Sequence, residues 1–242
     1  MSDLAPRISL VIPARNEERF LPALLDSVAA ARARFDGGVE IIVADNVSND
    51  RTAEIARAAG ARVVTVEKRN IAAVRNGGAA AARGEILAFI DADCTIHPDS
   101  FGAIDRALGD PRQVGGTTGV RFDRFSFGVL AAQILFEPIS WLTRMRPGIY
   151  FCRRADFAAI GGYDERLLFA EDVKLLVDLR KLGRPRGQRL SVPRGVKAVT
   201  STRKFDHHGE FHWLWLFARG GWSLLTGKPS KALTDYWYHD RR

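Results

Sequence analysis

Glu85-Ile86-Leu87-Ala88-Phe89-Ile90-Asp91-Ala92-Asp93 is the stretch on which the fold turns: an apolar run that stops on two carboxylates. Residues 85–90 read as a buried strand, and Gly84 before them closes an Ala-rich helical segment. In open sheets of parallel strands, ligands bind beyond the carboxyl ends, so the residues that follow each run carry the information. Here they are Asp91 and Asp93.

The same grammar repeats upstream. Residues 8–12 and 39–43 are short β-branched runs ending at Pro13 and at Ala44-Asp45. Between them, 17–35 places Phe20, Leu21, Leu24, Leu25 and Val28 at helical spacing, and Gly37-Gly38 supplies the stop. A helix over 51–59, a strand over 61–66 and an Ala-rich helix over 71–82 complete the series. This alternation predicts an α/β fold, a Rossmann-like, mostly parallel sheet flanked by helices.

Downstream the regularity weakens. A helix is expected over 99–108, a strand over 117–122, and a helix from Glu171 through Val173, Leu175, Leu176, Leu179 and Leu182. The apolar stretch 127–142 is interrupted by Glu137-Pro138 and is shorter than a usual membrane span. A basic strand-like segment, 196–205, precedes the aromatic run Phe211, Trp213, Trp215, Phe217 and Trp222.

The chain has 242 residues, 46% hydrophobic and 26% charged, the balance of an ordinary globular protein. The net charge of +8 is uneven: residues 181–242 hold 13 Lys/Arg against 4 Asp/Glu, so the rest is close to neutral. A basic tail suits nucleic acid, anionic lipid or a phosphorylated substrate alike. No nucleic-acid-binding signature accompanies it, and nucleic acid is not an expected partner. Residues 1–7 include Asp3 and Arg7 and lack the apolar core of a signal peptide, so cytoplasmic folding is expected. Cys94 and Cys152 are too few for a disulfide framework and read as reduced thiols.

Three constellations carry chemistry. Asp91 and Asp93, two residues apart in a turning chain, can both approach one hard cation that bridges a diphosphate; the plainer alternative is a solvated pair capping the next helix. Glu171-Asp172 opens a helix after Gly161-Gly162-Tyr163-Asp164, where one carboxylate can serve as a general base or merely favour the helix dipole. Pro13, Ala14, Arg15, Asn16, Glu17 and Asp45 lie at the ends of neighbouring strands and can clamp a base and ribose. Asp45 can accept from a nucleobase imide while Ser48 and Asp50 cap the helix at Arg51.

In this order the three elements resemble the family 2 glycosyltransferases, over roughly residues 7–185. The resemblance implies a GT-A fold in one domain, residues 1–205, with a nucleotide-binding half of about 7–93 and an acceptor-side, catalytic half of about 94–205. Residues 206–242 form a basic aromatic segment packed on the core or at a membrane surface. Pro13-Ala14-Arg15-Asn16-Glu17 and 45–50 match segments that hold the nucleotide. Arg69-Asn70-Ile71-Ala72-Ala73-Val74-Arg75-Asn76-Gly77-Gly78 looks like the family's Ala-Arg-Asn-x-Gly segment and makes Arg75 and Asn76 candidate donor contacts. A surface helix face is the alternative.

By the same resemblance Asp91-Ala92-Asp93 is the metal motif for Mn2+ or Mg2+, with Asp93 the direct ligand and Asp91 nearer the ribose or metal waters. Asp172 is the expected base, and Gly161-Gly162-Tyr163-Asp164-Glu165 shapes the acceptor side. Val47 stands where a Gly is usual, and Ala44 where an acid is frequent. The Gln-x-x-Arg-Trp motif of processive synthases is absent after Asp172, which implies single addition. Instead Thr200-Ser201-Thr202-Arg203-Lys204-Phe205 follows, with Arg203 a candidate donor contact. His207 or His208 can be an extra metal ligand, ordinary surface placement being the alternative.

The implied activity is inverting transfer from a nucleotide-diphosphate donor, a UDP-sugar, to a hydroxyl on a glycan, a lipid-linked or a small acceptor. Rivals are a sugar-nucleotide pyrophosphorylase, which would need a Gly-rich phosphate loop missing here, and a nucleotide-sugar-binding, membrane-associated protein without turnover. The tail can touch the inner face of a membrane or pack on the core.

Overall fold

Along the chain run β1 (Ile8–Ala14), α1 (Leu21–Arg32), β2 (Val39–Asp45), α2 (Thr52–Ala58), β3 (Arg62–Thr65), α3 (Ile71–Ala80), β4 (Ile86–Phe89) and β5 (Cys94–Thr95). They are followed by α4 (Ser100–Gly109), β6 (Gln113–Thr117), β7 (Val120–Phe122), β8 (Tyr150–Arg153), α5 (Arg154–Ala159), α6 (Glu171–Gly183), β9 (Arg189–Ser191) and β10 (Ala198–Thr200). This computed structural model describes residues 5–122, 143–167 and 170–200. The chain divides into two units, 1–121 with 144–200 and 122–143 with 201–242, and the described residues lie almost wholly in the first.

Seven strands form one sheet in the order β3-β2-β1-β4-β8-β6-β9. All its strand pairs are parallel except those of β8, which runs antiparallel to β4 and β6. Every residue of β1 and β4 is buried, as expected for strands covered on both faces. One face packs Ile8, Leu10 and Ile12 with Leu21, Leu24 and Val28 of α1 and Phe101 and Ile104 of α4. The other packs Val11, Leu87 and Phe89 with Tyr163 and with Leu175, Leu176 and Leu179 of α6. This is the α/β architecture expected from the alternation of runs.

The close approach of α3 to the sheet explains Gly77-Gly78. A Cβ on Gly78 would lie 2.4 Å from Val11 Cγ1, so only a glycine lets this helix settle onto β1. The adjacent Arg75 and Asn76 are thereby fixed close above the strand ends.

The structure also corrects the expected elements. The helix anticipated over 17–35 begins at Leu21, because Glu17 O accepts from the amides of Phe20 and Leu21 in a preceding turn. The strand anticipated over 117–122 takes in only the last residue of β6 together with β7, the two being separated at Gly119 with φ +80. β5, residues 113–116 of β6, β8, α5 and β9 were not anticipated; β5 and β9 are too short to display a period, and β8 lies inside the sheet with its first three residues buried.

A second sheet, β5-β10-β7, starts directly after the acidic pair: Thr200 is in register with Cys94. The expected roles of Arg203, His207, His208, the stretch 127–142 and the segment 206–242 fall outside the described residues. Among the described residues no helix is long and apolar enough to cross a membrane.

Candidate active site

The carboxyl ends of β1, β2 and β4 lie side by side, since Ala14 pairs with Asp45 and Val11 with Phe89. Pro13 and Ala14 are buried at the end of β1, Arg15 is half-buried, and Asn16 is exposed with φ +53. The turn after β2 faces them. Asn16 N donates to Ser48 Oγ at 3.0 Å, Asn49 N to Asn16 Oδ1 at 3.0 Å, and the buried Glu17 N to Thr52 Oγ1 at 2.8 Å. Asp45 is buried and its carboxylate accepts from Ser48 N at 3.3 and 3.4 Å. Asn46 Nδ2 reaches Val66 O at 2.6 Å and Lys68 O at 3.1 Å, which ties β2 to the entry of α3.

Val47, in the middle of that turn, is 53% exposed and has φ +54. A β-branched side chain in the left-handed region is strained. The strain falls at the position the family resemblance assigns to Gly.

At the end of β4, Asp91 is exposed, Ala92 buried and Asp93 half-buried. Asp91 Oδ1 accepts from Arg75 Nη2 at 2.7 Å. Among the described residues no three His, Cys, Asp or Glu side chains gather to hold an ion. Two carboxylates at a strand end nevertheless fit the requirement of a hard divalent cation of the Mg2+ kind, which takes one or two carboxylates and fills its shell with substrate phosphate oxygens and water. Cys94, next in the chain, is free; burial and then Asp91 and Asp93 push its thiol up, so it remains a neutral neighbour.

The third constellation joins from far along the sequence. Glu171 and Asp172 open α6, and the preceding residue, Ala170, takes φ +58. Glu171 is 7% exposed and pairs with Arg75 Nη1. Burial pushes its carboxyl up, and Arg75 only partly offsets this. Asp172 is half-buried, and its Oδ2 accepts from Tyr150 Oη at 2.5 Å. Tyr150 begins β8 opposite Phe89, so an antiparallel strand brings this phenol to the crevice. Burial, then Asp172, holds the phenol well above its ordinary range, which keeps it a donor. The two neighbouring acids therefore have separate surroundings, one against a cation and one against a neutral hydroxyl.

Arg75 itself is 4% exposed. Its guanidinium lies 5.3 Å from the centre of the Tyr163 ring. Burial alone would loosen its proton, but Asp91, the Tyr163 oxygen, Glu171 and Asp172 hold it well above its ordinary range. Asn76 binds the segment before α6: its Nδ2 donates to Tyr163 O and Glu165 Oε1, both at 2.9 Å, and its Oδ1 accepts from Tyr163 N at 2.9 Å. Gly162, with φ +75, passes so close that a Cβ there would be 2.7 Å from Asn76 Oδ1. Asp45, Asp91, Asp93 and Asp172 thus lie toward one end of the sheet, with Arg75 bridging Asp91 to Glu171, the neighbour of Asp172. Tyr150 and the joining role of Glu171 were missed in the sequence; no spacing rule marks a tyrosine that opens a short interior strand.

The family model described as Glycosyl transferase family 2 matches residues 9–160. Relatives include the 4,4'-diaponeurosporenoate glycosyltransferase of Staphylococcus haemolyticus, 45% identical over 97 residues that cover 37% of this chain and 25% of that protein. The undecaprenyl-phosphate 4-deoxy-4-formamido-L-arabinose transferase of Aeromonas hydrophila is 30% identical over 152 residues, 60% of this chain and 47% of that protein. The chain thus spans less than half the length of either relative. Among solved structures, the mannosyltransferase PcManGT from Pyrobaculum calidifontis, in complex with GDP-Man and Mn2+, aligns with a TM-score of 0.64 and 22% identity over 81% of this chain and 57% of that one. Glucosyl-3-phosphoglycerate synthase from Mycobacterium tuberculosis, in complex with Mn2+, UDP and glucosyl-3-phosphoglycerate, aligns with a TM-score of 0.60 and 23% identity over 93% and 82% of the two chains.

Proposed function

The chain belongs to the family 2 glycosyltransferases, and on that premise we propose that it transfers one sugar from a nucleotide-diphosphate donor, a UDP-sugar, to an acceptor hydroxyl with inversion at the anomeric carbon. The observation that carries the reading is the meeting of Asp91 and Glu171, eighty residues apart, on one buried guanidinium, with Asp93 two residues from the first and Asp172, held by Tyr150, next to the second.

In the proposed reaction Asp172 takes the proton of the acceptor hydroxyl as its oxygen attacks the anomeric carbon. The bond from that carbon to the diphosphate oxygen breaks on the opposite face, and the nucleoside diphosphate leaves with the electron pair. Tyr150 Oη holds Asp172 Oδ2 and the Val173 amide holds Oδ1 at 2.7 Å, so the plane of the carboxylate is fixed and a remaining lone pair takes the proton. Pro13, Ala14, Arg15, Asn16, Glu17 and Asp45 receive the nucleoside. Asp93, with Asp91, would hold a divalent cation, Mn2+ or Mg2+, whose charge offsets that of the departing diphosphate.

The acceptor class is a glycan, a lipid-linked or a small hydroxyl compound; the lipid-linked choice draws support from the relative named for undecaprenyl phosphate. Peripheral contact with a membrane through residues 206–242 belongs to that choice. Release of nucleotide from a panel of UDP- and GDP-sugars, with Mn2+ and with EDTA, tests the reading alongside thermal shift with UDP and GDP. Metal-dependent release from a UDP-sugar is expected. Absence of both nucleotide release and Mn2+-dependent stabilisation across the whole panel would refute it.

A further inference from the structure

We propose that Arg75 is a positioning residue, a single buried cation that couples the acidic strand end at Asp91 to the helix start that carries Asp172. The inference rests on the functional reading above and assigns Arg75 a different task from a direct donor contact. Its guanidinium is almost wholly enclosed, with Nη2 on Asp91, Nη1 on Glu171 and its plane near the Tyr163 ring. At 4% exposure it offers a ligand in the crevice little surface.

Coupling through Glu171 controls Asp172 because successive residues on a helix project about 100° apart. Anchoring Glu171 inward sets the rotation of the first turn of α6, and Asp172 is thereby turned toward Tyr150. The anchor is part of a wider joint. Lys68 pairs with Glu165 at 2.6 Å, Asn70 Nδ2 donates to Glu165 O and Leu167 O at 3.1 and 3.2 Å, and Asn76 holds Tyr163 and Glu165. Residues 68–76 therefore grip 163–167 and Glu171, and segments some ninety residues apart are the two halves of one polar joint. Within it, Arg75 also reaches the strand end at Asp91, so a displacement of either acid is felt at the other.

Arg75→Lys keeps the charge but loses the planar fork that serves two carboxylates at once. Glu171→Gln keeps the shape and removes the inner anion, and serves if the lysine variant does not fold. Amide hydrogen exchange is expected to speed up in both variants over 163–167 and 170–176, while 8–14 and 39–45 stay protected. With UDP-glucose and Mn2+, the saturated rate of UDP release is expected to fall at least about tenfold, since small misplacements of reacting groups cost that much or more. The dissociation constant for UDP with Mn2+ is expected to stay within about threefold, and the double variant to be no slower than the worse single one. Unchanged exchange over 163–176 overturns the inference, whether or not the probe is turned over. So does a variant that keeps its saturated rate but loses more than about tenfold in UDP affinity, because Arg75 would then be a donor contact. A wild-type chain inert toward every nucleotide-sugar instead defeats the functional reading, and hydrogen exchange still decides the coupling.

Discussion

At the ends of β1 and β2, polar side chains mostly meet main-chain atoms one strand away: Ser48 Oγ takes Asn16 N, Thr52 Oγ1 takes Glu17 N, and Asn46 donates to the carbonyls of Val66 and Lys68. Around α6 the decisive ties run between side chains distant in sequence: Arg75 to Glu171, Tyr150 to Asp172, Asn76 to Glu165. The first region takes its shape from the strands beneath it. The second depends on particular charged and hydroxyl atoms, so small chemical changes there should cost turnover out of proportion to their cost in stability.

The strongest way to break that contrast is at the carboxylates themselves. Asp172→Asn should lower kcat by about 10² to 10⁴-fold, the range of a lost general base, while calorimetric titration with UDP and Mn2+ shows donor binding retained. Normal turnover in this variant would remove Asp172 from the mechanism. Asp93→Ala should cost about 10² to 10³-fold in metal-dependent transfer and abolish the Mn2+-dependent thermal shift produced by UDP. A shift of normal size would show that Asp93 is no ligand.

Tyr150→Phe sharpens the contrast, because it removes one hydroxyl and preserves the core packing of the ring. A hydrogen bond to a charged acceptor is worth enough to predict a fall of about tenfold in kcat with little change in the donor KM. A raised KM with unaltered kcat would mean that the phenol touches the donor.

The contrast also explains what the sequence disclosed. Runs such as 8–12, 39–43 and 86–90 announce buried strands by composition, and the polar residues at their ends follow from sheet geometry alone. Asp45, Asp91 and Asp93 were therefore legible as a group. Glu171 and Asp172 were legible as a pair, but their division of labour was not, because Arg75 and Tyr150 come from a helix and a strand whose meeting depends on tertiary packing. Asn76 illustrates the same boundary: its motif suggested a donor contact, whereas its amide is bound on both ends to 163–165. The short strands β8 and β9 gave no period to read.

Val47→Gly tests the first region by relieving a left-handed β-branched residue. The thermal midpoint should rise, corresponding to about 1 kcal/mol, the lower end of such backbone strain once the added freedom of glycine in the unfolded chain is offset. A lower midpoint would show that Val47 has packing that outweighs its backbone.

The smallest effect is expected at Glu40, which holds the far end of the sheet: it accepts from Ser9 Oγ at 2.5 Å, from Arg83 N at 2.6 Å and from Arg83 Nε at 3.1 Å. Burial alone would raise this carboxyl, but Ser9 and the amide and guanidinium of Arg83 hold it below its ordinary value of 4.5. A carboxyl depressed in the folded protein stabilises it above the unfolded value, and that contribution is lost as pH falls through the folded value. Glu40→Gln keeps an acceptor for Ser9 and loses chiefly the ion pair with the exposed Arg83, so it should cost about 0.5 kcal/mol at neutral pH. The gap between variant and wild type should close as the pH is lowered below 4.5, in urea titrations at several pH values. Turnover should be unchanged, because this joint lies at the opposite end of the strands from Asp91 and Asp172. A large loss of turnover in Glu40→Gln would mean that strain travels the length of the sheet, and the proposed separation between a region held by strand geometry and one held by single charged atoms would fail.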